Sequence, residues 1–402
     1  MKRLAALLAL LFAAATAQAQ VETPAAALTR DAATWAAVAG LPPAEAEVQL
    51  RAQQESIAVT DALAAEFGDR LAGLSIEHRP AVRIDVLLTG DAPVAERHVL
   101  LAGLDVTVTF RTGALASHAR LLAALTAHQA AIRAMLFKPP GLAVDARTGS
   151  LAVLVAEADA ARFAPGELEQ RLADLTGVPV LVRRLDRTDA DSAAEGGARL
   201  VGVDAADGRR HACTSGFVVT DGARSGLVTA AHCPDALSFV GPDRSETPLP
   251  FVGQWGWSYQ DVQLHISDVA LPPLFYADTA RTLSRTPTAA RPRAETRVGD
   301  MVCHRGERTG YSCAEVAFVD FAPAGDLCGG PCAPSWVAVD GPTCQPGDSG
   351  GPVFDGTVAL GLVKGASFRA DGSCSLYYYM SVDYLPQGWR VATDPVAAPP
   401  IP

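Results

Sequence analysis

The chain has 402 residues, which is enough for two or more domains that each bury a sizeable core. Hydrophobic residues make up 49% and charged residues only 19%, a composition that excludes disorder throughout the chain. The net charge is −11 and no basic run stands out, which argues against nucleic acid as the main partner because phosphate binding needs a basic face.

The first 20 residues have the pattern of a signal peptide. Lys2 and Arg3 precede an apolar run over residues 4–15, and small residues at 17–19 are typical of a cleavage site. The run is too short for a comfortable transmembrane helix, and the alternative is an N-terminal core or anchor helix. Because no later apolar run reaches the length of a membrane span, we expect a secreted protein that does not associate with membranes.

Residues 21–192 contain no cysteine and are expected to form an α+β domain. Apolar residues recur at helical spacing over 43–74 and 114–136, and a third helix is predicted over 165–175. Strands are predicted at residues 83–88, 105–110, 142–145, 151–155 and 178–182. The histidines of this part are interpreted as solvated, namely His78, His98, His118 and His128.

A small polar segment, residues 189–197, is interpreted as a linker with a processing site near 193–197. Residues 193–391 have short alternating apolar runs separated by turn residues, a pattern typical of a β-barrel or β-sandwich. A Pro- and Ala-rich tail, residues 392–402, is expected to be a frayed end.

Two short runs carry the candidate chemistry. The run GDSGGP at 347–352 places Ser349 among glycines, whose backbone freedom allows a tight turn with N–H groups beside the hydroxyl. Such N–H groups suit the negative oxygen of a tetrahedral intermediate. The run TAAHC at 229–233 supplies His232, the kind of base that a serine hydroxyl needs to become a nucleophile. Taken alone, a glycine-rich serine turn is also compatible with an ordinary loop.

Together these runs resemble the trypsin-like, chymotrypsin-fold serine proteases. The runs VCHRG at 302–306 and TGYSC at 309–313, with Pro346 before the serine turn, are similar to the bacterial alpha-lytic protease and streptogrisin branch. The resemblance covers roughly residues 196–390. It implies an all-β protease domain of two antiparallel six-stranded β-barrels with the catalytic residues at their junction, preceded by an α+β prodomain.

All eight cysteines lie between Cys213 and Cys374, and an even number in an exported chain indicates disulfides. The residues alone leave the pairing open, but the resemblance implies the pairs Cys213–Cys233, Cys303–Cys313 and Cys344–Cys374. Two cysteines remain, and we expect a local bridge Cys328–Cys332. A metal site is the alternative, which is disfavoured because no further ligands stand at suitable spacing nearby.

The resemblance also implies the catalytic roles. Ser349 is expected to attack the scissile carbonyl, and His232 to accept and return its proton. For the carboxylate that orients the imidazole we favour Asp261 over Asp268, because Asp261 opens an alternating run that is similar to the family's. The backbone N–H groups of Gly347 and Ser349 are the expected oxyanion donors.

Asp348 is interpreted as a structural carboxylate that needs a partner, because an unpaired buried charge is very costly. The bacterial branch has an arginine directly after the first cysteine of the 303–313 loop, but here that position holds His304. Arg305, one residue later, is the expected partner if the loop shifts by one, and His304 or another group is the alternative.

The walls of the substrate pocket are implied in the same way. Pro342 and Thr343 stand where trypsin-type members carry an acid, so a basic P1 residue is not expected. A shallow apolar pocket for small or medium side chains is predicted, with walls from Val363, Lys364, Gly365, Ala366 and Tyr377. Lys364 replaces a serine that the family usually has, and recognition of an acidic P1 residue by Lys364 is the alternative.

These features predict a secreted serine endopeptidase that acts on protein or peptide substrates and is made as an inactive precursor. Residues 21–192 resemble the family's prodomain, which assists folding and then inhibits by occupying the active-site cleft. We expect a monomer that needs no cofactor or metal and whose protein partner is its own prodomain. The alternatives are a catalytically inactive protease-fold binding protein, and a protease whose N-terminal domain is an independent binding module. An α/β-hydrolase esterase is opposed by the order His, Asp, Ser along the chain.

Overall fold

The computed structural model describes residues 20–185, 190–191, 198–204, 208–241, 244–266 and 271–393. Residues 1–19 of the predicted signal peptide, the predicted processing segment 193–197, Asp268 and the tail from residue 394 lie outside the described residues. Within the described part of the chain, no helix combines the length and apolar character that a membrane crossing requires.

The N-terminal part, up to residue 185, consists of helices packed on strands. Its helices are α1 (Pro24–Ala39), α2 (Pro43–Phe67), α3 (His118–Ala134), α4 (Glu157–Ala160) and α5 (Glu167–Thr176). Its strands are β1 (Gln20–Glu22), β2 (Leu71–Glu77), β3 (Arg83–Thr89), β4 (Arg97–Leu101), β5 (Leu104–Ala114), β6 (Gly141–Asp145), β7 (Ser150–Ala156) and β8 (Val180–Leu185). One sheet has the order β2-β3-β5-β4, and a second group of strands runs β6-β7-β8.

One predicted helix ends early, and one helix was not predicted. The helix predicted over 43–74 ends at Phe67, because Gly68 has a φ of 35° and Leu71 then begins β2. Helix α1 was not predicted, although the hydroxyl of Thr23 caps its first turn and Gly40, at a φ of 70°, ends it.

The chain then forms short strands. They are β9 (Ala190–Asp191), β10 (Arg199–Val203), β11 (Arg210–Thr214), β12 (Val218–Thr220), β13 (Ser225–Thr229), β14 (Leu237–Val240), β15 (Glu246–Leu249), β16 (Phe251–Trp255), β17 (Val262–Ile266), β18 (Phe275–Tyr276), β19 (Leu283–Arg285) and β20 (Ala289–Ala290). Within the described residues, eight of them form a sheet β11-β10-β14-β15 and a sheet β16-β17-β13-β12, whereas β18 and β19 pair with each other and β9 and β20 each pair with a later strand. The predicted arrangement of two closed barrels stays a prediction.

A closed six-stranded β-barrel follows. Its strands are β21 (Met301–Gly306), β22 (Gly310–Ala322), β23 (Trp336–Asp340), β24 (Pro352–Asp355), β25 (Val358–Phe368) and β26 (Cys374–Ser381), and the final strand β27 (Arg390–Val391) pairs with β12. The barrel order is β21-β24-β25-β26-β23-β22, and pairing of β21 with β22 closes the ring. Every pair in this ring is antiparallel, which confirms the predicted all-β region with a six-stranded barrel.

The N-terminal part and the barrel share sheet and core. Strand β6 pairs antiparallel with β22, with Ala143 opposite Phe321, so β6, β7 and β8 extend the barrel sheet. Trp35 of helix α1 is buried in the same hydrophobic cluster as Phe217 and Phe354 of the C-terminal part. The two parts therefore bury apolar surface against each other.

A buried ion cluster lies at the same contact. Arg285 donates from Nε to Glu22 at 2.9 Å, and from Nη1 and Nη2 to the two oxygens of Asp31 at 3.0 and 2.8 Å. Asp31 also accepts the hydroxyl of Tyr311 and the N–H of Gly356. Burial raises the pKa of Asp31, and the Arg285 charge opposes this effect. Two carboxylates of the N-terminal part thus neutralise a cation buried in the C-terminal part.

Two histidines of the N-terminal part differ from the prediction that they are solvated, since His78 is buried and His118 is only partly exposed. His78 is buried and donates from Nε2 to the carbonyl of Gly299 at 3.0 Å, beside the ring of Trp35. His118 lies 2.8 Å from the Asp320 carboxylate. Both histidines contact residues of the C-terminal part. The sequence of the N-terminal part alone does not show that the barrel packs against these side chains, and for this reason they were interpreted as solvated.

The structure contains four disulfides, and they are the pairs that the sequence analysis expected: Cys213–Cys233, Cys303–Cys313, Cys328–Cys332 and Cys344–Cys374. The first ties β11 to the turn that carries His232, and the last ties the serine turn to the start of β26. The bonds therefore fix the turns that carry the candidate catalytic residues.

Candidate active site

His232 and Asp261 lie at the same edge of one sheet. Strands β13 and β17 are antiparallel with Thr229 opposite Gln263. His232 follows the end of β13, and Asp261 directly precedes β17. The end of one strand and the start of its antiparallel neighbour meet at one edge, so the pairing brings the imidazole and the carboxylate together.

The carboxylate orients the imidazole through two hydrogen bonds. Nδ1 of His232 donates to Oδ2 of Asp261 at 2.9 Å, and the backbone N–H of His232 donates to Oδ1 at 3.2 Å. Burial alone would raise the pKa of Asp261, but the charges of His232 and Lys364 hold that pKa at about 2. Asp261 is therefore ionised at neutral pH and fixes the Nδ1–H tautomer of His232.

Ser349 lies in a glycine turn that packs on the histidine turn. Gly347 and Gly350 have φ angles of 128° and 84°, which other residues rarely adopt. A Cβ atom on Gly350 would lie 2.2 Å from Thr229 Oγ1, and the hydroxyl of Thr214 donates to the Gly347 carbonyl at 3.0 Å. The glycines thus let the serine turn approach the strand end that carries His232.

Asp348 is held by the backbone and a hydroxyl. It accepts the N–H groups of Arg308 and Thr309 at 3.2 Å each and the Thr309 hydroxyl at 2.8 Å. It also accepts the N–H of Gln345 at 3.0 Å. The absence of a side chain at Gly306 leaves room, since a Cβ there would lie 2.0 Å from Asp348 Oδ1.

The prediction that Arg305 pairs with Asp348 is wrong. Arg305 instead donates to Glu307 at 3.3 Å and to the Asp278 carbonyl at 3.4 Å. His304, the alternative, contacts the hydroxyls of Thr309 and Ser312. Because the 308–309 turn supplies N–H donors, the carboxylate does not need an arginine.

Two curated proteins are similar to this chain. Streptogrisin-D from Streptomyces griseus is 29% identical over 181 residues, which cover 44% of this chain and 42% of that protein. Streptogrisin-C from Streptomyces griseus is 26% identical over 183 residues, which cover 44% of this chain and 37% of that protein. The predicted resemblance to the chymotrypsin-fold bacterial serine proteases is confirmed. The chain spans about two fifths of the length of these curated relatives.

Several solved protease structures are also similar, at low identity. Protease A from Thermobifida fusca is 20% identical with a TM-score of 0.39, covering 50% of this chain and 98% of that chain. Cellulomonas bogoriensis chymotrypsin is 21% identical with a TM-score of 0.38, covering 50% and 98%. A glutamic acid specific serine protease that uses a histidine triad in substrate binding is 24% identical with a TM-score of 0.37, covering 47% and 93%. No family model matches the chain.

Lys364 departs from its predicted place in the substrate pocket of this protease-like region. Its side chain is 1% exposed, and its Nζ lies 3.4 Å from Asp261 Oδ2. The pairing of β25 with β26 shifts between Val363 and Gly365, and such a bulge re-aims the side chain at that point. The ammonium thus has a partner within the protein, and recognition of an acidic P1 residue by Lys364 stays a prediction. Lysine is rare in this chain, and Lys364 is the sole lysine after residue 138, which was the signal in the sequence for an unusual role.

The other predicted pocket residues lie on β25 and β26. Val363, Ala366 and Tyr377 are buried in one barrel cluster, and Ala366 is opposite Tyr377 in the strand register. The ring of Tyr377 lies 4.5 Å from that of His304. The role of these residues as pocket walls, like that of Gly347 and Ser349 as oxyanion donors, stays a prediction.

Proposed function

We propose that the chain is the precursor of a secreted serine endopeptidase. The observation that carries this proposal is the 2.9 Å contact between His232 Nδ1 and the buried carboxylate of Asp261, in a turn packed against the turn of Ser349. The similarity to two streptogrisins supports the same activity. An inactive protease-fold binding protein would have no need to keep an ionised carboxylate behind this imidazole.

The catalytic steps follow from these positions. Because the Nδ1–H group of His232 donates a hydrogen bond to Asp261, the proton stays on Nδ1 and Nε2 is the base for Ser349. The serine oxygen attacks the scissile carbonyl carbon while its proton passes to Nε2, and the carbonyl oxygen becomes negative. The N–H groups of Gly347 and Ser349 would stabilise that oxygen. The carbon–nitrogen bond then breaks, the leaving amine takes the proton from His232, and water releases the acyl group from Ser349 in the same way.

We assign residues 21–192 as a prodomain that blocks the site until it is cut away. Strand β9 pairs antiparallel with β25, with Asp191 opposite Gly365 and Ala190 opposite Ala366. The hydroxyl of Ser349 donates to the carbonyl of Lys364, the residue just before Gly365, at 3.3 Å. A segment paired in this way lies where a peptide substrate would add a strand to β25. The proposal places the cut after position 192, so that the mature chain begins at Ala193.

The shared structure favours a prodomain over an independent binding module. Strand β6 pairs with the end of β22 and extends the barrel sheet, and Arg285 of the protease region is neutralised by Glu22 and Asp31. A barrel made of non-local strand pairs folds slowly, so a partner that pairs with its edge can stabilise the folding transition state. Expression of residues 197–402 alone should therefore give little active enzyme, and a normal yield would favour the independent module.

For specificity, we propose a small or medium apolar residue at P1. The ring of Tyr377 lies against His304 and opposite Ala366, so a P1 pocket at this end of β25 would be shallow. Digestion of a peptide library by the secreted enzyme tests this assignment. Preferred cleavage after large aromatic, basic or acidic residues would contradict it.

Processing of the full-length chain tests the proposal as a whole. The secreted wild-type product should have a mass and N-terminal sequence that begin at or near Ala193, and it should hydrolyse peptides. Ser349→Ala should be secreted as an uncut precursor, whereas Ser373→Ala, a change at an exposed serine, should be processed like the wild type. A processed wild type without peptidase activity, or full activity in Ser349→Ala, would contradict the proposal.

A further inference from the structure

Lys364 is an unusual residue in this chain. Three of the 33 basic residues are lysines, at positions 2, 138 and 364, so every other basic side chain of the protease region is an arginine. The side chain of Lys364 is buried beside the ring of Trp336, with Nζ 5.5 Å from the ring centre. A buried ammonium is costly unless it is paired, so its partner is informative.

The partner is the carboxylate of the catalytic pair. Nζ of Lys364 lies 3.4 Å from Oδ2 of Asp261, the same oxygen that accepts Nδ1 of His232 at 2.9 Å. The carbonyl of Lys364 meanwhile accepts the hydroxyl of Ser349 at 3.3 Å. One residue therefore contacts two members of the proposed triad, by its side chain and by its backbone.

We propose that Lys364 is a positioning residue that fixes Asp261 and opposes protonation of His232, so that the enzyme stays active at lower pH. This inference rests on the proposed function, because it takes Ser349 as the nucleophile.

The charge balance at Oδ2 explains the direction of the effect. When His232 is neutral, the ammonium of Lys364 alone offsets the charge of Asp261. When His232 takes a proton, two cations face one carboxylate, and the like charge disfavours the protonated imidazole. Within the described residues, His232 and Lys364 are the charged groups that act on Asp261. Removal of the ammonium should therefore make His232 easier to protonate.

Three variants of the full chain test this inference. Lys364→Met keeps an unbranched side chain without the charge, Lys364→Arg keeps the charge, and Arg210→Met removes an exposed cation of the retained protease region that pairs with Glu246. The readout is the pH dependence of kcat/KM of the secreted enzymes. The midpoint of the acid limb should rise by about one pH unit in Lys364→Met. It should stay within a few tenths of a unit in Lys364→Arg and Arg210→Met.

A second readout does not need activity. Titration of the His232 ring protons by NMR in the Ser349→Ala precursor should show the same rise when Lys364→Met is added. An unchanged midpoint in both experiments would overturn the role of Lys364 while leaving the endopeptidase intact, whereas an inactive wild type would overturn the proposed function itself. If Lys364→Met is not recovered folded, Lys364→Ser carries the same prediction. If only Lys364→Arg folds, the residue is structural and the inference is wrong.

Discussion

Acidification should weaken the contact between the N-terminal part and the barrel through His78. This side chain is 3% exposed, and its Nε2 donates to the Gly299 carbonyl at 3.0 Å. Its Nδ1 has no hydrogen-bond partner among the described residues. Burial lowers the pKa of His78 from 6.5 to about 4. A proton on Nδ1 would place an unpaired positive charge in the buried contact between the N-terminal part and the barrel.

The sign and size of the effect follow from linkage. Between pH 6.5 and about 4 the unfolded chain binds a proton that the folded chain does not, so the free energy of unfolding decreases as the pH falls. One unit of pKa shift corresponds to about 1.4 kcal/mol, so the full effect is about 3 kcal/mol. Roughly 2 kcal/mol of it should appear between about pH 7 and about pH 4.5.

Urea unfolding of the uncut Ser349→Ala precursor measures this loss. The free energy of unfolding is determined at both pH values by circular dichroism, with and without His78→Gln. The precursor should lose roughly 2 kcal/mol more on acidification than its His78→Gln variant. His98→Gln is the matched control, because that histidine side chain is 56% exposed. Equal losses with and without His78→Gln would refute the reasoning.

Two further predictions concern the buried ion cluster around Arg285 and the turn that carries Ser349. Arg285→Met leaves Glu22 and Asp31 buried without their cation, and should destabilise the precursor by about 3–5 kcal/mol in a thermal unfolding experiment. Gly350→Ala places a methyl group 2.2 Å from Thr229 Oγ1 at a φ of 84°, and should abolish peptide hydrolysis and processing.

The chain offers a matched control for each change. Arg51 forms an exposed ion pair with Glu47 on one helix, so Arg51→Met should cost less than about 1 kcal/mol. Gly372 has a φ of 83° with open space around its Cβ position, so Gly372→Ala should be processed and active. A large loss in Arg51→Met, or an active Gly350→Ala, would show that these contacts do not act as described.

The features that depend on local backbone geometry could be predicted from the sequence. The serine turn needs φ angles that only glycine adopts readily, so the glycines at positions 347 and 350 identify the turn in the sequence. The alternating runs of the barrel strands reflect side chains that point to opposite faces, and this pattern is also local. The sequence analysis chose Asp261 as the residue that orients His232 from the alternating run that follows it, which is also a local pattern.

The features that depend on distant packing could not be predicted in this way. Lys364 reaches Asp261 because a strand bulge re-aims its side chain, and a single sequence does not show the register of β25 on β26. Asp348 is satisfied by N–H groups of a turn some 40 residues earlier, at Arg308 and Thr309. His78 is buried by a barrel that lies more than two hundred residues later in the chain.

The most direct test of the central claim is covalent labelling with a serine-reactive fluorophosphonate probe. After secretion and digestion of the labelled wild type, mass spectrometry should locate the phosphonate on Ser349, and His232→Ala should reduce the labelling rate strongly because the base is gone. A processed wild-type enzyme that takes up no label on Ser349, or that is labelled equally well in His232→Ala, would contradict the account.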